Sequence, residues 1–264
     1  MSLAESIEIA SNILADATNA VVFTGAGISA ESGVPTYRGH GGATWSKYDP
    51  SRYANIDNFF SEPEYFWSFF QEVRSKVLAD CHPNPGHEAL TKLQKRGIVH
   101  RIITQNIDGL HQLSGSQNVI ELHGNTRFFD CLDCGKVHSL DDIVEMQKET
   151  LVPKCQVCGG VIKPRVIFFG DALDVETLQT ATEAVTSCDV ILIVGSTLQV
   201  YPAAQLPIIA AKRKKPIIIA NYGPTELDPI ASCRLEGKAS EILPALVDSL
   251  SKGSTNKPKP ESSE

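Results

Sequence analysis

The chain has 264 residues, 42% of them hydrophobic and 21% charged, a balance that fits a globular protein of one or two domains with a sizeable core. Its 24 Lys plus Arg are outnumbered by 31 Asp plus Glu, for a formal charge of -7, which argues against a main role in wrapping nucleic acid or coating an anionic membrane. The longest aliphatic run, Val190–Val194, is too short to span a bilayer, and the acidic, amphipathic N-terminus is unlike a signal peptide, so a cytoplasmic location is expected, nuclear if the source is eukaryotic. In such a compartment the seven cysteines point to metal binding or catalysis before disulfides.

In chain order, Leu3, Ile7, Ala10, Ile13 and Leu14 recur at helical spacing and lead into the apolar run Ala20–Thr24, which ends at Gly25. Further strand-type runs lie at Ile98–Thr104, Asn118–Leu122, Asp189–Val194 and Pro216–Ala220, and helical patterns at Gly86–Lys95, Asp174–Ser187 and Ala203–Lys214. Buried strands alternating with helices predict a Rossmann-like α/β domain with a parallel, doubly wound sheet, built from residues 1–35, 86–125 and 167–252. Two insertions interrupt it. Residues 36–85 hold a Gly/His-rich loop and an aromatic run from Phe59 to Phe70, read as the core of a helical insertion; residues 126–166 hold four cysteines. Residues 253–264 offer no apolar anchor and are expected to be a disordered tail.

Cys131-Leu-Asp-Cys134 and Cys155-Gln-Val-Cys158, each followed by glycine and separated by 20 residues, have the spacing of two zinc knuckles. In each, a two-residue turn brings both thiolates to one metal, and the following glycine can take the left-handed conformation. Four thiolates leave no open coordination position, so one structural zinc is predicted in a small zinc-ribbon module. Asp130, Asp133, Asp141, Asp142, Glu145 and Glu149 flank it and count against phosphate binding. Cys81, Cys188 and Cys233 lack such a pattern and read as buried small residues or ordinary thiols.

Gly25-Ala26-Gly27-Ile-Ser29-Ala30 follows a strand and opens a helical turn, as in dinucleotide-binding loops where glycines let the backbone approach a pyrophosphate. The rest of that context differs: the next sheet strand begins only near residue 98, and no acidic residue closes a second strand about 20 positions on. Other polar groups end other strands: Thr104-Gln105-Asn106-Ile107-Asp108, His123-Gly124, Gly195-Ser196-Thr197 and Asn221. In a parallel sheet all of these converge on one crevice at the carboxyl ends of the strands, with His123 as its titratable group.

Gly25-Ala-Gly-Ile-Ser29, Gly33-Val34-Pro-Thr-Tyr37-Arg38-Gly39, Thr104–Asp108, His123-Gly124, the four cysteines, Phe169-Gly170 and Gly195-Ser196 resemble the sirtuin family in order and context, over about residues 5 to 250. The resemblance implies an NAD-consuming protein-lysine deacetylase or deacylase acting on acylated lysines of other proteins, with protein ADP-ribosyltransfer as the alternative. It implies that Ala26, Val34, Tyr37, Asn106, Ile107 and Asp108 line a nicotinamide pocket, with Arg38 and Gln105 by the phosphates and nicotinamide ribose. Ser196, Thr197, Asn221 and Ala239 would hold the phosphates and adenosine side. Ile167, Phe168 and Phe169 would contact the acyl-lysine, the peptide adding as a strand between the zinc module and the sheet domain. His123 would be the general base that lets the ribose 2′-hydroxyl attack after nicotinamide has left, giving free lysine and O-acyl-ADP-ribose.

The departures from the family pattern are mild: Tyr37 for Phe, a cofactor loop one residue longer around His40, Asp171 for Glu, and Thr197 for Ser. One subgroup reads a carboxylated acyl chain with Tyr and Arg, whose places match Phe70 and Val73 here, so neutral acyl groups are expected. His87, His111 and His138 are read as structural, and Lys212–Lys215 as a solvated helix end.

Overall fold

The computed structural model describes residues 2–34, 49–74 and 80–254. Tyr37, Arg38, the loop around His40 and residues 255–264 of the expected tail therefore lie outside the described residues. The predicted strands form at β1 (Ala20–Thr24), β2 (Val99–Thr104), β3 (Val119–Glu121), β7 (Val190–Val194) and β8 (Ile217–Asn221), joined by an edge strand, β9 (Cys233–Glu236). Together they make a six-stranded sheet in the order β3-β2-β1-β7-β8-β9, every neighbouring pair parallel. The order runs outward in both directions from β1 and β7, which sets a crevice at the switch between the two halves.

Both faces of the sheet are covered. Helices α1 (Leu3–Ala15), α4 (Pro85–Lys95) and α8 (Ala239–Ser254) pack on one side, where Leu14, Leu90, Leu93, Ile242 and Leu246 meet Val22, Ile102, Leu192 and Ile218. Helices α6 (Val175–Ser187) and α7 (Gln205–Lys212) pack on the other, where Ala181, Val185 and Leu206 meet Phe23, Ile103, Ile191 and Ile219. Alternate residues of one strand supply the two cores, as the pleat requires. Helix α8 carries Leu250 into the core and continues to Ser254, so helical structure extends two residues past the expected tail boundary.

The two insertions share one core. Strands β4 (Gly124–Cys131), β5 (Val137–Ser139) and β6 (Ile162–Val166) form a small sheet ordered β5-β4-β6, antiparallel throughout, beside α5 (Leu140–Met146). Against it lie α2 (Ile56–Ser61) and α3 (Pro63–Phe69). Phe59, Phe66, Trp67 and Phe70 pack with Phe129, Ile143, Ile162 and Phe168 in a single cluster. Neither segment is thick enough to bury these rings alone, and together they make one module. Phe60 departs from the expected aromatic core: it is 55% exposed.

Candidate active site

At the end of β1 the chain turns through Gly25 into a 3-10 helix, Ala26–Ser32. Gly25 N donates to Val194 O (3.0 Å) and Gly27 N to Gly195 O (2.8 Å), so the loops after β1 and β7 are tied backbone to backbone. A side chain at Gly25 or Gly27 would meet Gly195 within 3 Å, and one at Gly195, which has φ +61, would lie 2.3 Å from Ile28 N. The three glycines are thus required by the close approach of two loops as much as by any ligand.

Below this loop lies a buried polar network. Ser29 Oγ donates to Asp108 Oδ2 (2.8 Å) and accepts from Asn106 Nδ2 (3.1 Å), which also donates to Gly25 O (3.1 Å). Both amide hydrogens of Asn106 are committed, so its carbonyl oxygen is what it can offer a ligand. Asp108 Oδ1 accepts from Leu110 N (2.9 Å). His87 completes the arrangement. Its Nδ1 accepts from Asn84 N (3.3 Å), so neutral His87 carries its proton on Nε2, 3.3 Å from Ser29 Oγ. With two donors pointing at it, the Ser29 hydroxyl must direct its own proton to Asp108. Thr24 Oγ1 donates to Thr104 Oγ1 (2.8 Å) and lies 3.0 Å from His111 Nε2, which extends the network under β1 and β2.

His123 follows β3. Its Nδ1 lies 3.0 Å from Gln105 O, and Gln105 Nε2 donates to Ser196 Oγ (2.9 Å). One chain of contacts thus runs from the expected base to the loop after β7. Burial lowers the His123 pKa, against the opposing pull of the Gln105 carbonyl. Asn221 ends β8 and is buried, as is Ala239, the first residue of α8. The sequence-predicted residues described here, Gly25 to Ser29, Gln105 to Asp108, His123, Gly195 to Thr197 and Asn221, all stand at carboxyl ends of sheet strands. Val34 lies nearby against Leu110 and Cys81.

The segment expected to meet the acyl-lysine runs between the two parts of the molecule. Ile167 N donates to His123 O (3.0 Å), Phe169 N to Ala54 O (2.6 Å), and Ile56 N to Phe169 O (3.0 Å). Its side chains divide: Phe169 is 52% exposed, whereas the Phe168 ring stacks at a tilt on Phe59 and Phe66 inside the module core.

The four sulfurs of Cys131, Cys134, Cys155 and Cys158 lie within 4.8 Å of one another. Cys131 and Cys158 are 3.4 Å apart and Cys134 and Cys155 3.7 Å, close to the edge of about 3.8 Å that a tetrahedron with 2.3 Å zinc–sulfur bonds demands. Gly135 and Gly159 have φ +71 and +75, and their N–H groups donate to Cys131 O and Cys155 O. Four sulfurs within 4.8 Å of one another, two pairs of them near the tetrahedral edge, fit a structural zinc. Cys81, Cys188 and Cys233 are buried apart from this site, and burial pushes the Cys188 thiol up to about 11, which leaves it protonated at neutral pH.

Residue types alone pointed past Asn84, Ser29's hydrogen-bonding role and His87. The signal was present in Asn84-Pro-Gly-His87, an N-cap followed by proline at the first helical position. Asn84 caps α4 through Gly86 N (2.8 Å) and also donates to Ile28 O (2.8 Å) and Ser32 Oγ (2.9 Å), which pins the glycine-loop helix from behind.

Comparison with known proteins agrees with this geometry. The model of the Sir2 family matches residues 25–202. The NAD-dependent protein deacylase 2 of Archaeoglobus fulgidus is 48% identical over 245 residues, 92% of this chain and 96% of that protein. A solved structure described as the structural basis for the mechanism and regulation of Sir2 enzymes has a TM-score of 0.86 and 46% identity, over 94% of this chain and 98% of that one. Sir2Af2 bound to a myristoylated histone peptide has a TM-score of 0.80 and 40% identity, over 96% and 99%.

Proposed function

The chain belongs to the Sir2 family, and from that premise we propose how its residues divide the work of NAD-dependent protein deacylation. NAD, when bound, would supply a ribose whose C1′ loses nicotinamide and whose 2′-hydroxyl takes the acyl group. Ala26, Val34, Ile107, Asn106 and Asp108 form the nicotinamide pocket, where the buried amide and carboxylate, set by Ser29, read the carboxamide. Gln105 serves the nicotinamide ribose, while the hydroxyls of Ser196 and Thr197 take the phosphates; the Gly25 and Gly27 N–H groups are held by Val194 O and Gly195 O, so these glycines serve by letting the loop backbone come close to the cofactor. Asn221 and Ala239 serve the adenosine side. Tyr37 and Arg38 complete the cofactor set.

One observation carries the assignment of the base. The Gln105 carbonyl can only accept a hydrogen bond, so Nδ1 of His123 holds the ring proton and Nε2 is left as the basic nitrogen. Burial keeps that ring neutral. A neutral imidazole beside the Gln105–Ser196 contact is suited to accept a proton from a ribose hydroxyl.

The substrate is an acylated lysine in another protein or peptide, lying as a strand between the module and the sheet domain. Sir2Af2, seen with a myristoylated histone peptide, supports acylated peptides as the substrate class. Ile167 and Phe169 contact the acyl-lysine stem, and Phe168 backs them from the core. Phe70 is buried against Phe129 and offers no donor to a carboxylated acyl chain, which favours neutral acyl groups. The charge of -7 complements basic, lysine-bearing segments. Seven cysteines outside any disulfide fit a reducing compartment, which supports the cytoplasm as the location.

Incubation with NAD and an acetylated peptide, followed by mass spectrometry, tests this reading. Free lysine peptide with O-acetyl-ADP-ribose is the expected product pair. An ADP-ribosylated protein without deacylated peptide would replace it with ADP-ribosyltransfer.

A further inference from the structure

We infer that Arg234 is a positioning residue for the adenosine half of NAD: it locks the loop after β8 so that Asn221 meets the cofactor through its amide oxygen. The inference rests on the assignment of Asn221 to the cofactor proposed above.

Asn221 turns its amide nitrogen back into its own loop. Nδ2 donates to Gly223 O (2.9 Å) and to Tyr222 O (3.3 Å). An amide nitrogen has two hydrogens, and both are used, so Oδ1 remains as an acceptor for a hydroxyl such as those of a ribose. The orientation of Asn221 therefore depends on where the Gly223 carbonyl is held.

Gly223 is gripped from both sides by β9. Its N–H donates to Glu236 Oε1 (2.8 Å), and its carbonyl accepts from Arg234 Nη2 (2.5 Å). The same Nη2 is 2.5 Å from Glu236 Oε2, and Nε lies 3.0 Å from Asp228 Oδ2, a charge contact without hydrogen-bond alignment. Asp228 in turn accepts from Thr225 N (3.1 Å) and Thr225 Oγ1 (2.6 Å). One guanidinium thus closes the loop near its start at Gly223 and near its end at Asp228.

The sheet explains why these residues meet. Cys233 and Leu235 face inward on β9, so Arg234 and Glu236 share the opposite face. The register pairs Ile219 with Arg234 and Asn221 with Glu236, which sets both charged side chains beside the end of β8. Gly223 has φ +90 with open space where a Cβ would stand, so the turn can bring both its polar groups toward β9. The Arg234 and Asp228 side chains are 30% and 24% exposed, an environment in which such a network shapes a loop more than it stabilises the fold. Holding the loop before the ligand arrives removes an ordering cost from binding.

The test is steady-state kinetics of the full chain, with the KM for NAD and the KM for an acetylated peptide measured separately. Arg234→Met keeps the length of the side chain and removes all its donors. It is expected to raise the NAD KM about five- to tenfold, with kcat and the peptide KM within about twofold of the parent. Arg234→Lys, whose one ammonium can still reach a carbonyl but cannot span three partners, should fall between. The dissociation constant of ADP-ribose should rise with the NAD KM, while inhibition by nicotinamide, which lacks the adenosine half, stays unchanged. Asn221→Ala separates the two levels of the argument. If it raises the NAD KM and Arg234→Met does not, the clamp is overturned and the Asn221 assignment stands. If Asn221→Ala leaves the NAD KM unchanged, that assignment fails and the inference with it. A rise in both KM values with a lower melting temperature in Arg234→Met would make the residue merely structural and would also overturn the inference.

Discussion

Gln105 fixes the proton on His123: the ring's Nδ1 stands 3.0 Å from the Gln105 carbonyl oxygen, which leaves Nε2 basic. Burial is the larger influence on the ring and lowers its pKa from 6.5, while the Gln105 contact pulls the other way. The base therefore stays neutral to lower pH than a free imidazole would. The acid limb of the kcat/KM profile should have its midpoint below 6.5, and His123→Ala should lose at least about a hundredfold in deacylation with the fold retained. A midpoint above 6.5, or near-parent activity in the variant, would remove His123 from the role of base.

Gly195 is where the β1 and β7 loops press together. A methyl group there would lie 2.3 Å from Ile28 N and 2.6 Å from Gly27 C, on a backbone with φ +61. Neither neighbour is a flexible side chain, so Gly195→Ala should cost about 2–4 kcal/mol and weaken NAD binding with it. Gly97 has a similar φ of +71 but nothing within 4 Å of an added Cβ. Gly97→Ala should therefore cost only about 1–2 kcal/mol and leave NAD binding intact. Urea denaturation of both variants checks the difference.

The parallel sheet was legible because strands buried on both faces read as unbroken apolar runs, as in Val190–Val194, all five residues of which are buried. The zinc module was legible because thiolate spacing is a local constraint. Strand β9 was not: only Cys233 and Leu235 of its four residues are buried, so Cys-Arg-Leu-Glu has no run to notice. The shared core of the two insertions was equally hidden, because the contact of Trp67 with Phe129 joins segments about sixty residues apart. At the site, residue types at strand ends located Asn106, Asp108 and His123. The hydrogen bonds that orient Asn106 and Asp108 pass through Ser29 and His87, and the one that orients His123 comes from the Gln105 backbone; no residue type announces either.

That shared core makes the metal's influence readable at a distance. Trp67 is 1% exposed and packs in one cluster with Cys131, Cys155, Phe129 and Ile143. Removing zinc with a chelator, or substituting Cys131→Ser, should loosen the small sheet and open the helices that lean on it. In a Trp45→Phe background, tryptophan fluorescence should shift to the red and the melting temperature should fall. An unchanged Trp67 spectrum after verified metal loss would show that the helical segment stands without the module's zinc.

His87 and His111 make acid a selective stress. Their rings lie 5.1 Å apart. Burial lowers His87 from 6.5 to about 4 despite the nearby Asp108 charge. It lowers His111 to about 3, with His87 adding to the effect. Both are neutral in the folded chain where the unfolded chain would bind a proton. Their contribution is complete above pH 6.5 and is lost as the pH falls from there through 4 and 3, on the order of a few kcal/mol in all. His111→Asn removes one of the two groups while keeping a donor for Thr24 Oγ1, which lies 3.0 Å from the native ring. The variant should be less stable than the parent at pH 8, because the ring's packing is lost, yet lose less stability between pH 6.5 and 4. Urea midpoints at four pH values measure both slopes. If the slopes coincide, proton uptake by buried His111 is not what drives acid unfolding, and the carboxylates must carry it instead.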